Sequence, residues 1–234
     1  MKGDLRLDQL LSRFGYCSRS QARGWLRAGR VTLGGEAVRE ADLRVSVASV
    51  LIDQQPVTAP DGLVVVLHKP AGHVCSRDER EGASIFDLIP EQWSGRNPPV
   101  TSVGRLDRDT TGLLLLTDIG ALVQRWTSPR HHVPKLYEAT LDQEPSPNLI
   151  DLFNSGTLQL DGESKPCAPA RLELLGGPLV RLTLTEGRFH QVKRMFAAGG
   201  RVVTALHRSQ VGDYRLNGLA PGEWRLEPVP ALGE

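Results

Sequence analysis

The reading turns on Gly104-Arg105-Leu106-Asp107-Arg108-Asp109-Thr110-Thr111-Gly112, which runs directly into the apolar stretch Leu113-Leu114-Leu115-Leu116. Two carboxylates and two arginines, bracketed by glycines, lead into a strand that belongs in a core. Glycine allows backbone angles and close approaches closed to other residues, so such a loop can aim one side chain. Carboxylates at i and i+2 admit three readings. A divalent cation would want several oxygen ligands, and no second acidic cluster offers them. An acid/base pair for glycosidic bonds depends on a carboxyl separation that a sequence does not display. The third reading is structural, and it is the expectation for Asp109: bonding the backbone of the turn made by Thr110 and Thr111. From the residues alone, Asp107 stays open among these chemistries.

Working outward, Leu63–Leu67 followed by His68 reads as a buried strand, stopped by Lys69-Pro70-Ala71-Gly72. KLYEATL (135–141) and LVRLTLTEG (179–187) are further strand candidates. Residues 188–208 hold Arg188, Lys193, Arg194, Arg201 and Arg208 with no acidic residue, a basic segment suited to phosphates. His131, His132, His190 and His207 could suggest a metal. Adjacent histidines beside Arg130 fit RNA or solvent better, and no metal is expected.

On the N-terminal side, Leu7, Leu10, Leu11 and Phe14 recur at helical spacing and Gly15 is placed to end the helix. Ser18 and Gln21 form a capping-box pattern for a second helix, along which Arg19, Arg23 and Arg27 make one basic stripe. Ala22 and Leu26 face a core. RVTLGGEAV then reads as strand, Gly34-Gly35 turn and strand, and SVLIDQQPV as a further strand. Residues 1–30 carry a net charge of +5, although the whole chain carries only +1. Residues 54–62, with two prolines, a glycine and polar neighbours, are the expected linker.

The 234 residues can bury a substantial core, and 24 % charged with 40 % hydrophobic residues is ordinary for a globular protein. Cys17, Cys75 and Cys167 are scattered, with neither zinc-ligand spacing nor a disulfide framework. MKGDLRLDQL lacks the apolar segment of a signal peptide and no run is long enough to span a bilayer, so a cytoplasmic chain is expected.

Four segments, in order over residues 63–200, resemble one family. GRLDRDTTG resembles the central motif of pseudouridine synthases, G/H-R-L-D-x-x-T-x-G, which contains one essential aspartate. VLHKPAGHVCS resembles the family's Lys-Pro-Gly strand-turn, SPRHHVPKLYEATL the segment with its active-site tyrosine, and EGRFHQVKRMFAAGG the segment supplying a basic partner. RLDQLLSRFGYCSRSQARGWLRAGRVTLGG resembles the S4-type RNA-binding domain. Together these point to the RsuA family. The resemblance implies an α+β protein: a small S4-type α/β RNA-binding module over residues 1–60 and a catalytic domain over 61–234 with a mixed, mainly antiparallel sheet. The module is expected on a flexible tether, free to reposition on RNA.

The resemblance also implies roles. Asp107 is the catalytic carboxylate, as nucleophile or as base on the ribose; Lys193 is its counter-charge; Tyr137 stacks on a flipped uracil. Arg105 contacts RNA or fills the space that the base leaves. Arg19, Arg23, Arg27, Arg130, Arg188 and Arg194 contact RNA. Isomerising uridine needs neither redox change nor energy input, so no cofactor is expected. The implied partner is ribosomal RNA, and a monomer is the default. SPRHHVPKLY looks closest to the subgroup acting at position 516 of 16S small-subunit RNA, with 23S RNA or a non-catalytic S4-type assembly role as alternatives. His68 stands where Asn commonly precedes Lys-Pro, and RDEREGASIFDLIPEQWSGRNPPV follows the family only in outline.

Overall fold

The computed structural model describes residues 4–231, so Lys2 of the N-terminal basic patch lies outside the described residues. The chain begins with a short strand β1 (Leu5–Arg6), helices α1 (Leu7–Arg13) and α2 (Ala22–Arg27), and strands β2 (Val31–Leu33), β3 (Glu36–Ala37), β4 (Arg44–Val45), β5 (Val50–Ile52) and β6 (Gln55–Pro56). Leu7, Leu10 and Leu11 from α1, with Phe14 just past its end, bury against Ala22 and Leu26 of α2 and Val31, Val50 and Ile52 of the sheet. The i, i+3, i+4 spacing thus makes a helix because it supplies one apolar stripe for one small core. The reciprocal Ser18–Gln21 bonds form, at 3.0 Å and 3.3 Å, although the α-helix proper starts only at Ala22. Gly34 and Gly35, both with positive φ, turn β2 into β3.

The remainder forms a nine-stranded sheet. Its strands are β7 (Val64–Lys69), β8 (Thr101–Ser102), β9 (Thr111–Thr117), β10 (Lys135–Leu141), β11 (Arg171–Gly176), β12 (Leu179–Leu184), β13 (Val203–Val211), β14 (Tyr214–Arg215) and β15 (Trp224–Leu226). The order is β11-β12-β10-β13-β9-β7-β15, with β14 beside β13 and β8 beside β9. All pairs are antiparallel except β9 with β13. The helices are α3 (Glu91–Ser94), α4 (Gly120–Thr127), α5 (Asn148–Asn154) and α6 (Gln191–Ala198).

The unbroken apolar runs in β7 and β9 follow from burial on both faces. Val65, Leu67, Leu114 and Leu116 enter the larger core with Phe153, Met195 and Phe196. Val64, Val66, Leu113 and Leu115 enter a second core with Leu122 and Trp126 of α4. At the parallel junction Gly112 faces Arg208, and a Cβ there would lie 2.3 Å from the Arg208 carbonyl oxygen. Only glycine lets β9 start so close to β13.

The expected flexible tether differs from what is observed. The Gly15 Cα lies against α3, and an added Cβ would meet the Gln92 carbonyl oxygen at 2.0 Å. Gln92 Nε2 donates to the Phe14 carbonyl at 3.0 Å and Asn97 N to the Arg13 carbonyl at 2.9 Å. Thr58 N donates to the Tyr16 hydroxyl, and Arg96 donates to the Thr58 and Ala59 carbonyls. The connecting segment is hydrogen-bonded from both sides, which its proline and glycine content alone does not reveal.

Candidate active site

The loop between β8 and β9 carries Asp107 at the sheet's parallel junction, half-buried and facing a cleft. Its backbone is held from beneath by a residue that reads from the sequence as part of a turn. Lys69 at the end of β7 is fully buried, and its Nζ donates to the carbonyls of Thr110 at 2.8 Å, Pro70 at 3.1 Å and Arg108 at 3.3 Å. Burial lowers its pKa, and the three carbonyls replace the water that the ammonium has lost. Gly72 N donates to the Arg108 carbonyl at 2.8 Å and Arg108 Nε returns to the Gly72 carbonyl. The Cys75 thiol packs 3.5 Å from the Leu106 backbone. The aspartate therefore sits on a backbone fixed by side chains from the preceding strand-turn.

Helix α6 supplies the cation, Lys193. Val192, Met195 and Phe196 bury in the larger core, which turns Lys193 toward the loop. Lys193 Nζ stands 3.1 Å from Asp107 Oδ2 and 2.7 Å from Asp109 Oδ1. Burial works against the ammonium, but hydrogen bonds to Asp109 and Asp107 outweigh it and raise the lysine pKa. The Lys193 hydrogen bond, against a burial penalty, holds Asp109 below the usual carboxylate range. The expectation that Asp109 ties the Thr110-Thr111 turn is thus replaced: the Asp107 carbonyl accepts from Thr110 N and closes the turn, while Asp109 is a second anion on Lys193. His190, missed as a neighbour of the aspartate, places Nε2 3.3 Å from Asp107 Oδ1.

Tyr137 on β10 is buried and lines the same cleft. Its hydroxyl accepts from Arg208 NH1 at 3.4 Å, and Arg208 Nε donates to the Leu113 carbonyl at 2.8 Å. Arg208, read in the sequence as part of a surface patch, is buried beneath the tyrosine. Arg105 is exposed on the rim and has no side-chain partner among the described residues. An inner pocket lined by Leu106, Asp107, Thr110, Tyr137, Lys193 and Leu206 opens beside a wider cleft of about 690 Å³.

The other expected RNA contacts separate into two groups. Arg188 bonds the Lys165 and Pro166 carbonyls and Glu186, and Arg194 bonds Glu163 and the Phe189 carbonyl, so both guanidinium groups are engaged within the protein. Arg19 pairs with Asp8 at 3.3 Å. Arg23, Arg27 and Arg130 are exposed without an acidic partner among the described residues. The described residues contain no group of His, Cys, Asp and Glu placed to hold a metal, and no helix long and apolar enough to cross a membrane.

Comparisons with known proteins identify the family. Residues 63–198 match the model of the RNA pseudouridylate synthase family, and residues 5–51 match the S4 domain. The chain is 41 % identical to the ribosomal small subunit pseudouridine synthase A of Yersinia pestis, covering 98 % of each chain. It is 40 % identical to that of Escherichia coli K12, over 94 % of this chain and 95 % of the relative. A crystal structure of a pseudouridylate synthase superposes with a TM-score of 0.67 at 39 % identity, covering 96 % of both chains. The chain is a member of the RNA pseudouridylate synthase family that carries an S4 domain ahead of its catalytic fold.

Proposed function

We propose that this enzyme isomerises one uridine of small-subunit ribosomal RNA, with Asp107 as the catalytic carboxylate. The observation that carries the assignment is Asp107 on a clamped loop, 3.1 Å from the Lys193 ammonium, in a cleft shared with Tyr137. The reaction breaks the bond from uracil N1 to ribose C1′, turns the base, and joins C5 to C1′; the C5 proton leaves and N1 takes up a proton, so the product is an isomer. Asp107 begins it, either as nucleophile toward the nucleotide or as base on the ribose; both require the ionised form. The Lys193 ammonium, 3.1 Å from Asp107 Oδ2, supplies the counter-charge for that carboxylate in a closed pocket. Tyr137 presents a ring for the flipped uracil, with its hydroxyl oriented by Arg208. Arg23, Arg27, Arg105 and Arg130, which have no acidic partner among the described residues, are the guanidinium groups assigned to phosphates, and binding should weaken with salt.

The small-subunit substrate rests on the two full-length relatives named for that subunit, and position 516 of 16S RNA is the specific target proposed. The unit boundary is placed near residue 60, and the enzyme is taken to act as a cytoplasmic monomer. Tritium release from RNA labelled at uracil C5 tests the substrate. Release is expected from 16S RNA or partly assembled small subunits, with pseudouridine then mapped to 516. Release from 23S RNA alone would reassign the target.

A further inference from the structure

Phe189 is the most exposed large apolar side chain among the described residues, at 74 %. Its neighbours in sequence and on α6, Val192, Met195 and Phe196, are buried, so a core was within reach of this segment. The ring is nonetheless held in place. It lies on His190 with centroids 3.8 Å apart and planes 18° apart. Its carbonyl accepts from Arg194 NH1 at 3.1 Å, and Arg194 is itself anchored on Glu163 at 2.9 Å. Arg188, the preceding residue, is tied to Lys165, Pro166 and Glu186. His190 adopts a left-handed backbone with φ of 48°, a conformation that persists where the surroundings fix it. A costly exposure on a fixed support is the signature of a binding surface rather than of a loose loop.

The position identifies the ligand. Phe189 lines the wide cleft together with Arg105, Asp107, Arg108, Lys135 and Tyr137, but is absent from the inner pocket. Asp107 is the sole carboxylate on that wider cleft, so its rim attracts phosphate. Resting on the assignment of the inner pocket to the target uridine, we propose that Phe189, backed by His190, is a stacking platform for the unpaired nucleobase next to that uridine. A π-face accepts any base, so this subsite grips the strand without reading its sequence. One face of the ring is occupied by the imidazole, and the base takes the open one.

The test uses a single-stranded RNA octamer with 2-aminopurine placed beside a uridine, and the full-length protein with Phe189→Ala, Phe189→Leu and Phe189→Trp. Stacking should quench the probe with wild type and Phe189→Trp, and not with Phe189→Ala or Phe189→Leu. Affinity should fall by about 5- to 150-fold in the alanine variant, the range for one lost base–aromatic stack. On ribosomal RNA its KM for tritium release should rise by a larger factor than its kcat falls. Thermal unfolding should be unchanged, since the ring is exposed. Equal quenching and affinity for wild type and Phe189→Ala would overturn the platform while leaving the uridine assignment standing. Quenching by a wild-type enzyme that releases no tritium from any ribosomal RNA would overturn the assignment and keep the stack. Rescue by leucine would mean general apolar contact, such as with a second protein surface, and would also overturn it.

Discussion

Two ion pairs in this protein are built from similar parts and left in different states. Arg96 and Asp118 lie between the small module and the large sheet, with side chains only 3 % and 9 % exposed and a separation of 2.7 Å. Every remaining group is satisfied: Arg96 donates to the Thr58 and Ala59 carbonyls, and Asp118 Oδ1 accepts from Leu63 N at 2.7 Å. Lys193 and Asp107 are 26 % and 27 % exposed and face a cleft. A saturated pair has nothing to offer a ligand and serves as a lock, whereas an open pair keeps charge available for chemistry. The first pair therefore serves architecture, and the second is the one proposed to serve the reaction.

The sharpest way to break this contrast is Arg96→Ala. It leaves a buried carboxylate without its cation and the Thr58 carbonyl without a donor, and should cost about 3–5 kcal/mol in urea unfolding. A loss under about 1 kcal/mol would put Arg96–Asp118 in the class of surface pairs. Next in size, Lys193→Met should lower kcat by about 100-fold, or about 2.7 kcal/mol of barrier. Its unfolding free energy should change by less than about 1 kcal/mol, because the pair is partly solvated. The reverse pattern, a large stability loss with activity intact, would make Lys193 a lock as well.

The smallest effect is expected at Asp109→Asn, with activity within about threefold of wild type and a stability change under about 1 kcal/mol. Its pH dependence follows from the two shifts. Lys193 has a raised pKa, so its share is present below the ordinary value of 10.5 and is lost as pH rises through the folded value. Asp109 has a lowered pKa, so its share is present above 3.8 and is lost as pH falls through the folded value. The stability difference between wild type and Asp109→Asn should be flat from about pH 5 to 9 and shrink in acid. A difference that grows on acidification would contradict the Lys193–Asp109 pairing.

How much of this was legible in the sequence depended on the range of the interaction concerned. The first helix and the strands β7 and β9 were readable because their patterns are local: an apolar stripe at helical spacing, and runs buried on both faces. Asp107, Tyr137 and Lys193 were singled out only through motif resemblance, since no local rule brings α6 to a loop 84 residues earlier. The role of Asp109 was misread because a turn was the sole partner visible nearby in sequence. Lys69 and Arg208 were hidden for the opposite reason. Both look solvent-facing by residue type, and their burial rests on carbonyls contributed by other segments. The docked small module was likewise unreadable, because Gly15, Gln92 and Arg96 meet only in three dimensions.

The most direct measurement is tritium release by Asp107→Asn beside RNA binding by the same protein. An open pair dedicated to chemistry predicts loss of release by at least about a thousandfold, with RNA affinity within about threefold and unfolding close to wild type. Release within about tenfold of wild type, from a variant that still binds RNA, would show that another group starts the reaction and would contradict the account.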